Sequence, residues 1–126
     1  HGLSYTTYQY SNLRLKKPRV SKDGGLLASV EVTNTGKVAG EEIVQLYVGY
    51  QGSKVERFVK DLKGFAKVAL EPGETKTVTL EVKAQDLAFY NEETMSWEVE
   101  PIQYKVYVGP SSNNRELLSA EFEILA

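Results

Sequence analysis

Few residues in this chain could do chemistry. It has a single histidine, His1, and no cysteine. The missing cysteine excludes a thiolate nucleophile and a disulfide framework, and it removes the commonest structural zinc ligand. A Ser-His-Asp arrangement needs an imidazole held by a third group. His1 occupies the first position, where a frayed end would not hold it. Hydrolysis of a glycosidic bond needs two carboxylates facing one cleft. The loop carboxylates are Asp61, Asp86, Glu92 and Glu93, and solvated turn or edge positions account for them more simply. Asp86 reads as a local backbone cap ahead of Leu87, and Glu92-Glu93 as a hairpin tip. Asp23 is followed by Gly24-Gly25 rather than further carboxylates, so there is no EF-hand pattern. The same glycines lead into a strand, not into a helix N-terminus that could cradle phosphate. These residue types and spacings therefore supply no catalytic group, no metal ligand and no cofactor-binding residue.

The aromatic residues are more informative. There are eight Tyr, four Phe and one Trp, and strand alternation turns Tyr47, Tyr107 and Phe65 outward. A carbohydrate-binding module would stack such rings on pyranose faces. Sandwich domains use the same residues to dock on neighbouring domains, and tyrosines paired across strands also stabilise a sheet. Docking or plain stabilisation is the favoured reading, with sugar binding as the alternative.

The elements that position these side chains are strands. Ala28, Val30 and Val32 alternate with Ser29, Glu31 and Thr33; Val44, Leu46 and Val48 with Gln45 and Tyr47; Val78, Leu80 and Val82 with Thr77, Thr79 and Glu81. Tyr104, Val106 and Val108 continue the pattern, as do Phe122 and Ile124. A period of two gives each segment one face for a core and one for water or a partner. Turn chemistry punctuates the runs. Asp23-Gly24-Gly25 offers residues that tolerate positive φ, Asn34-Thr35-Gly36 and Gly40 bracket a connection, and Glu71-Pro72-Gly73-Glu74 suits a type II turn. Ser111 to Asn114 make a last polar turn. No window sustains a helical apolar pattern. The expectation is an all-β domain, an immunoglobulin-like or fibronectin type III-like sandwich of about seven antiparallel strands. The spans are 8–17, 26–34, 42–49, 62–70, 75–83, 102–109 and 117–125, with an extended stretch near 86–99. Tyr104, at the start of a late strand, is placed either for a tyrosine corner or simply as a core aromatic.

A length of 126 residues suits one domain, and a net charge of −2 gives no footprint for nucleic acid or an anionic membrane surface. No apolar run approaches the roughly 18 residues of a membrane span. The absence of cysteine leaves the compartment open. The opening His1-Gly2-Leu3-Ser4-Tyr5 has no initiator Met and no signal-peptide pattern, so the chain is expected to begin at a cut.

An ordered set of segments carries a resemblance to a known family. Gly2-Leu3-Ser4-Tyr5-Thr6 resembles the end of the second core domain of family 3 glycoside hydrolases. Val30 to Gly36 and Ala39 to Val48 resemble strands of their carboxy-terminal fibronectin type III-like domain. Lys60-Asp61-Leu62-Lys63-Gly64-Phe65, Leu70 to Thr75, Asp86-Leu87-Ala88-Phe89-Tyr90, Trp97, and Tyr104 to Gly109 continue the series. Pro101-Ile102-Gln103-Tyr104 departs from the Pro-Gly-x-Tyr usual there, and Phe58 stands where a proline commonly follows the arginine. The resemblance implies a retaining β-glucosidase-like or β-xylosidase-like parent whose nucleophile and acid/base lie outside this chain. It implies that residues 1–7 form a junction from the catalytic core and 8–126 the accessory sandwich. The expected partners are then the catalytic domains of that parent, with carbohydrate as the alternative. Candidate docking residues are Gly2, Leu3 and Tyr5 at the junction and Tyr50, Val55, Arg57 and Phe58 in or beside the 49–61 connection. Lys54, Arg57 and Lys60 would supply a polar rim.

Overall fold

The computed structural model describes residues 8–51, 61–110 and 117–125. Alternation of apolar and polar residues turns into two sheets packed face to face. The strands are β1 (Tyr8–Leu15), β2 (Arg19–Val20), β3 (Gly25–Asn34), β4 (Gly40–Gln51), β5 (Asp61–Leu70), β6 (Thr75–Lys83), β7 (Phe89–Asn91), β8 (Ser96–Glu98), β9 (Gln103–Gly109) and β10 (Leu118–Ile124). One sheet has the order β1-β3-β6, the other β2-β10-β9-β4-β5, and β7-β8 form a separate hairpin. All pairings are antiparallel except β2 with β10. Seven of these strands lie where the sequence periodicity puts them. The additions are short. β2 has two residues, too few to show a period, and the extended stretch near 86–99 resolves into a 3₁₀ turn, Ala84–Leu87, and the β7-β8 hairpin.

The core is built from one face of each sheet. Leu26, Ala28, Val30 and Val32 of β3 and Val78, Leu80 and Val82 of β6 meet Val44, Leu46 and Val48 of β4 and Val106 and Val108 of β9. Phe122 and Ile124 of β10 join the same core. Tyr104 is fully buried, stacks on Phe122 with ring centroids 5.2 Å apart, and donates its hydroxyl proton to the Glu100 carbonyl at 2.7 Å. That is a tyrosine corner, and the core-aromatic and corner readings are both fulfilled by one side chain. Ile102 needs no positive φ in this turn. Its amide donates to the same Glu100 carbonyl at 3.0 Å, and its own carbonyl accepts from Ile124 N–H.

Turn chemistry agrees with the sequence at one end and differs at the other. Gly73 has φ of +79°, and Glu74 N–H donates to the Glu71 carbonyl at 2.9 Å, as a type II turn requires. Gly24 and Gly25, by contrast, do not take positive φ. They permit close approach instead. A Cβ on Gly24 would lie 3.1 Å from Ser21 Oγ, and one on Gly25 would lie 3.2 Å from Glu81 Oε2 on β6. Nor does Asp86 cap anything: it lies inside the 3₁₀ turn, whose start has no side-chain hydrogen bond.

Candidate functional site

The four loop carboxylates fall in three places on the domain. Asp61 opens β5 and accepts the Tyr50 hydroxyl proton at 2.7 Å. Asp86 is exposed in the 3₁₀ turn, and Glu92 and Glu93 are exposed in the β7-β8 turn, where Glu93 N–H donates to Asn91 Oδ1 at 2.9 Å. The hairpin-tip reading of Glu92-Glu93 holds. Among the described residues no three metal-ligating side chains cluster.

The two outer faces of the sandwich differ sharply in chemistry. On the three-stranded sheet, Ser29 pairs with Thr79 at 3.1 Å, Thr33 with Thr75 at 2.6 Å, and Asn12 donates to Glu31 at 2.9 Å. Hydroxyls and charges cover that face, so water suits it. On the five-stranded sheet the outward residues of β4 and β5 include Ile43, Leu62 and Phe65, which are 47%, 52% and 70% exposed. Half-buried Tyr47 sits opposite Tyr107 on β9 and hydrogen-bonds Gln45 on its own strand. Lys105 Nζ lies 5.5 Å from the Tyr107 ring centre. This is an aromatic and aliphatic face.

Leu62 reaches that face through a bulge. Counted back from buried Leu70, plain alternation would send Leu62 inward. The register shifts between Leu46 and Tyr47, however: Leu46 opposes Gly64 while Tyr47 opposes Leu62, leaving Lys63 as the extra residue. One extra residue reverses the facing of everything beyond it. The only sequence signal was Gly64, since a glycine inside a strand often marks a bulge.

A second aromatic group lies on the hairpin. Tyr90 and Trp97 are paired across β7 and β8 and meet edge to face, with centroids 5.5 Å apart. Trp97 is 70% exposed and borders an open cleft of about 470 Å³ that Lys22, Asp23, Gln85 and Glu98 also line.

Of the candidate docking residues, Tyr50 is described. Besides bonding Asp61 it meets Tyr104 edge to face at 5.7 Å and packs against the core, so most of its surface is used within the domain. Gly2, Leu3, Tyr5, Val55, Arg57 and Phe58 lie outside the described residues, as do His1 and the polar turn at Ser111 to Asn114.

The family model for the fibronectin type III-like domain matches residues 42–112, over half of the chain, and the chain belongs to that family. Thermostable beta-glucosidase B of Acetivibrio thermocellus is 46% identical over 114 residues, covering 90% of this chain and 15% of its own length. A beta-xylosidase of Formosa agariphila is 41% identical over 123 residues, covering 98% of this chain and 17% of its own length. The crystal structure of a beta-glucosidase from Listeria innocua in complex with glucose superposes with a TM-score of 0.87 at 32% identity, over 100% of this chain and 17% of that one. The segment shared with them is the fibronectin type III-like domain of family 3 glycoside hydrolases. The chain spans about a sixth of the length of these relatives.

Proposed function

We propose that this domain is the non-catalytic accessory sandwich of a family 3 glycoside hydrolase of β-glucosidase or β-xylosidase type, and that it stabilises the enzyme by packing on its catalytic domains. The observation that carries the reading is a sandwich core that matches only 15–17% of the length of such enzymes. The junction residues Gly2, Leu3 and Tyr5 and the 49–61 connection, with Val55, Arg57 and Phe58, are the contact points the sequence suggests. Apolar surface covered at a domain interface lowers the free energy of the assembled enzyme by about 25 cal/mol per Å². Removing residues 8–126 from the parent is the test. Activity that survives heating should be lost at a lower temperature, while the chain alone hydrolyses no aryl-glycoside. An unchanged inactivation temperature, or turnover by the chain that disappears in an Asp61→Asn or Glu93→Gln variant, contradicts the proposal.

A second reading, a module that holds the enzyme on a polysaccharide, draws on Trp97. An exposed indole braced by Tyr90 beside a cleft with amide and carboxylate groups is a fair platform for a pyranose ring. Affinity electrophoresis in soluble β-glucans and xylans decides it. Retardation that Trp97→Ala abolishes supports the module, and equal mobility in all gels removes it.

A further inference from the structure

We infer that the outer face of β4 and β5, centred on Ile43, Leu62 and Phe65, is the surface on which the catalytic portion of the parent enzyme sits. The inference rests on the accessory reading above and adds the face to it.

Three observations lead to this face. First, among the described residues the sandwich has two broad outer faces, of which the β4-β5 side is the apolar one. The β1-β3-β6 face satisfies itself with paired hydroxyls and an Asn-Glu hydrogen bond, whereas the β4-β5 face exposes three large hydrocarbon side chains together. Second, the exposure is constructed. The extra residue Lys63 turns Leu62 outward and sets it opposite Tyr47, on the same face as Phe65. Bulges recur where a strand must re-aim a side chain. A bulge needed only to blunt the free edge of β5 would be served as well by a charged residue at position 62. Third, charge flanks the patch on two sides: Lys67 and Glu41 pair at 3.9 Å, each well exposed, at one end, and Lys105 lies on the side of β9. An apolar centre with a charged rim is the layout of a protein interface.

The chemistry favours protein over sugar here. Phe65 is the one strongly exposed ring on this face, and beside it Ile43 and Leu62 are branched aliphatic groups that offer no flat surface to continue a pyranose-stacking strip. The chain matches only 15–17% of its relatives' length, so such an enzyme has most of its mass elsewhere on the same polypeptide. A tethered neighbour acts at high effective concentration, which a second copy of this domain would have to outcompete.

The test pairs Leu62→Ser with Phe65→Ser, in this chain and in the parent enzyme, and compares both with removal of the whole domain. The double variant should leave the melting temperature of the chain unchanged, because both side chains already face water. In the parent it should lower the melting temperature by several degrees and speed proteolytic release of the domain. Equal destabilisation of the chain alone overturns the inference, since the residues then serve the domain's own packing. An unaffected parent overturns it too: if domain removal still destabilises that parent, the accessory role stands and the interface lies elsewhere, with Val55→Ser and Phe58→Ser the next pair. If domain removal changes nothing, the accessory reading itself fails. Hydroxyl-radical footprinting of the unsubstituted proteins gives an answer independent of folding. Phe65 should be labelled in the chain and protected in the parent. Equal labelling, or protection in the chain by cello-oligosaccharides, contradicts the inference.

Discussion

Asn34 is buried at the end of β3 and has every polar atom of its side chain engaged. Its amide donates to the Val38 carbonyl at 3.0 Å and the Leu70 carbonyl at 3.1 Å, and its Oδ1 accepts from Gly36 N–H at 2.8 Å. Its backbone adds two bonds to the 71–74 turn, to Gly73 N–H and the Glu74 carbonyl. One residue thus ties the β3-β4 crossover to the β5-β6 turn. Asn34→Ala would strand several of these groups, and an unpartnered buried group costs about 1–3 kcal/mol. Because Gly36 and Val38 can still reach water, we expect a total loss of about 2–4 kcal/mol in denaturant melts. Tyr104→Phe is milder. The Glu100 carbonyl keeps Ile102 N–H, so the loss should be about 1 kcal/mol. Both residues are visible in the sequence, Asn34 as a turn residue and Tyr104 as a corner candidate. The Gly36 and Val38 partners of Asn34 are local, whereas Leu70 lies 36 residues further on and has no local signature.

At the scale of elements, alternation and turn chemistry explain most of what formed and also where reading the sequence stops. The Pro72-Gly73 turn was legible because its requirement is local: one residue at positive φ. A Cβ at Gly73 would touch nothing within 4 Å, so Gly73→Ala should cost only conformational strain, about 1–2 kcal/mol. Gly73→Asn should cost less, because a short polar side chain tolerates that region better. Chemical denaturation of the two variants checks the order. Gly24 and Gly25 were misleading because glycine serves two needs, and there the need is room beside Ser21 and Glu81, which depends on the fold. The direction of Leu62 was hidden for a related reason. A bulge is a property of a strand pair, and the sequence of one strand shows it only as Gly64. The residues by which the chain resembles its family, Leu62 and Phe65 among them, include side chains for which the core has no use.

For the whole molecule, the sandwich has a continuous core and no disulfide, so stability must come from burial. Leu46 and Leu80 face each other's sheets from the interior. Replacing Leu46 with Ala should cost about 2–5 kcal/mol and shift a single cooperative transition without splitting it. Of the docking residues proposed at the junction and the 49–61 connection, Tyr50 is placed in β4 and the others lie outside the described residues. What the fold adds is an inequality between its two faces, which composition cannot show because it sums over both.

The proposed energetic coupling of this domain to the catalytic domains of a parent enzyme is tested most directly by scanning calorimetry of that parent beside the isolated chain. Coupling predicts that the chain alone melts in one transition and that this transition is absent from the parent at the same temperature. There the domain should melt together with the catalytic domains, at a higher midpoint. A parent trace with a separate transition at the temperature and enthalpy of the isolated chain would show a domain that is merely tethered, and would contradict the account.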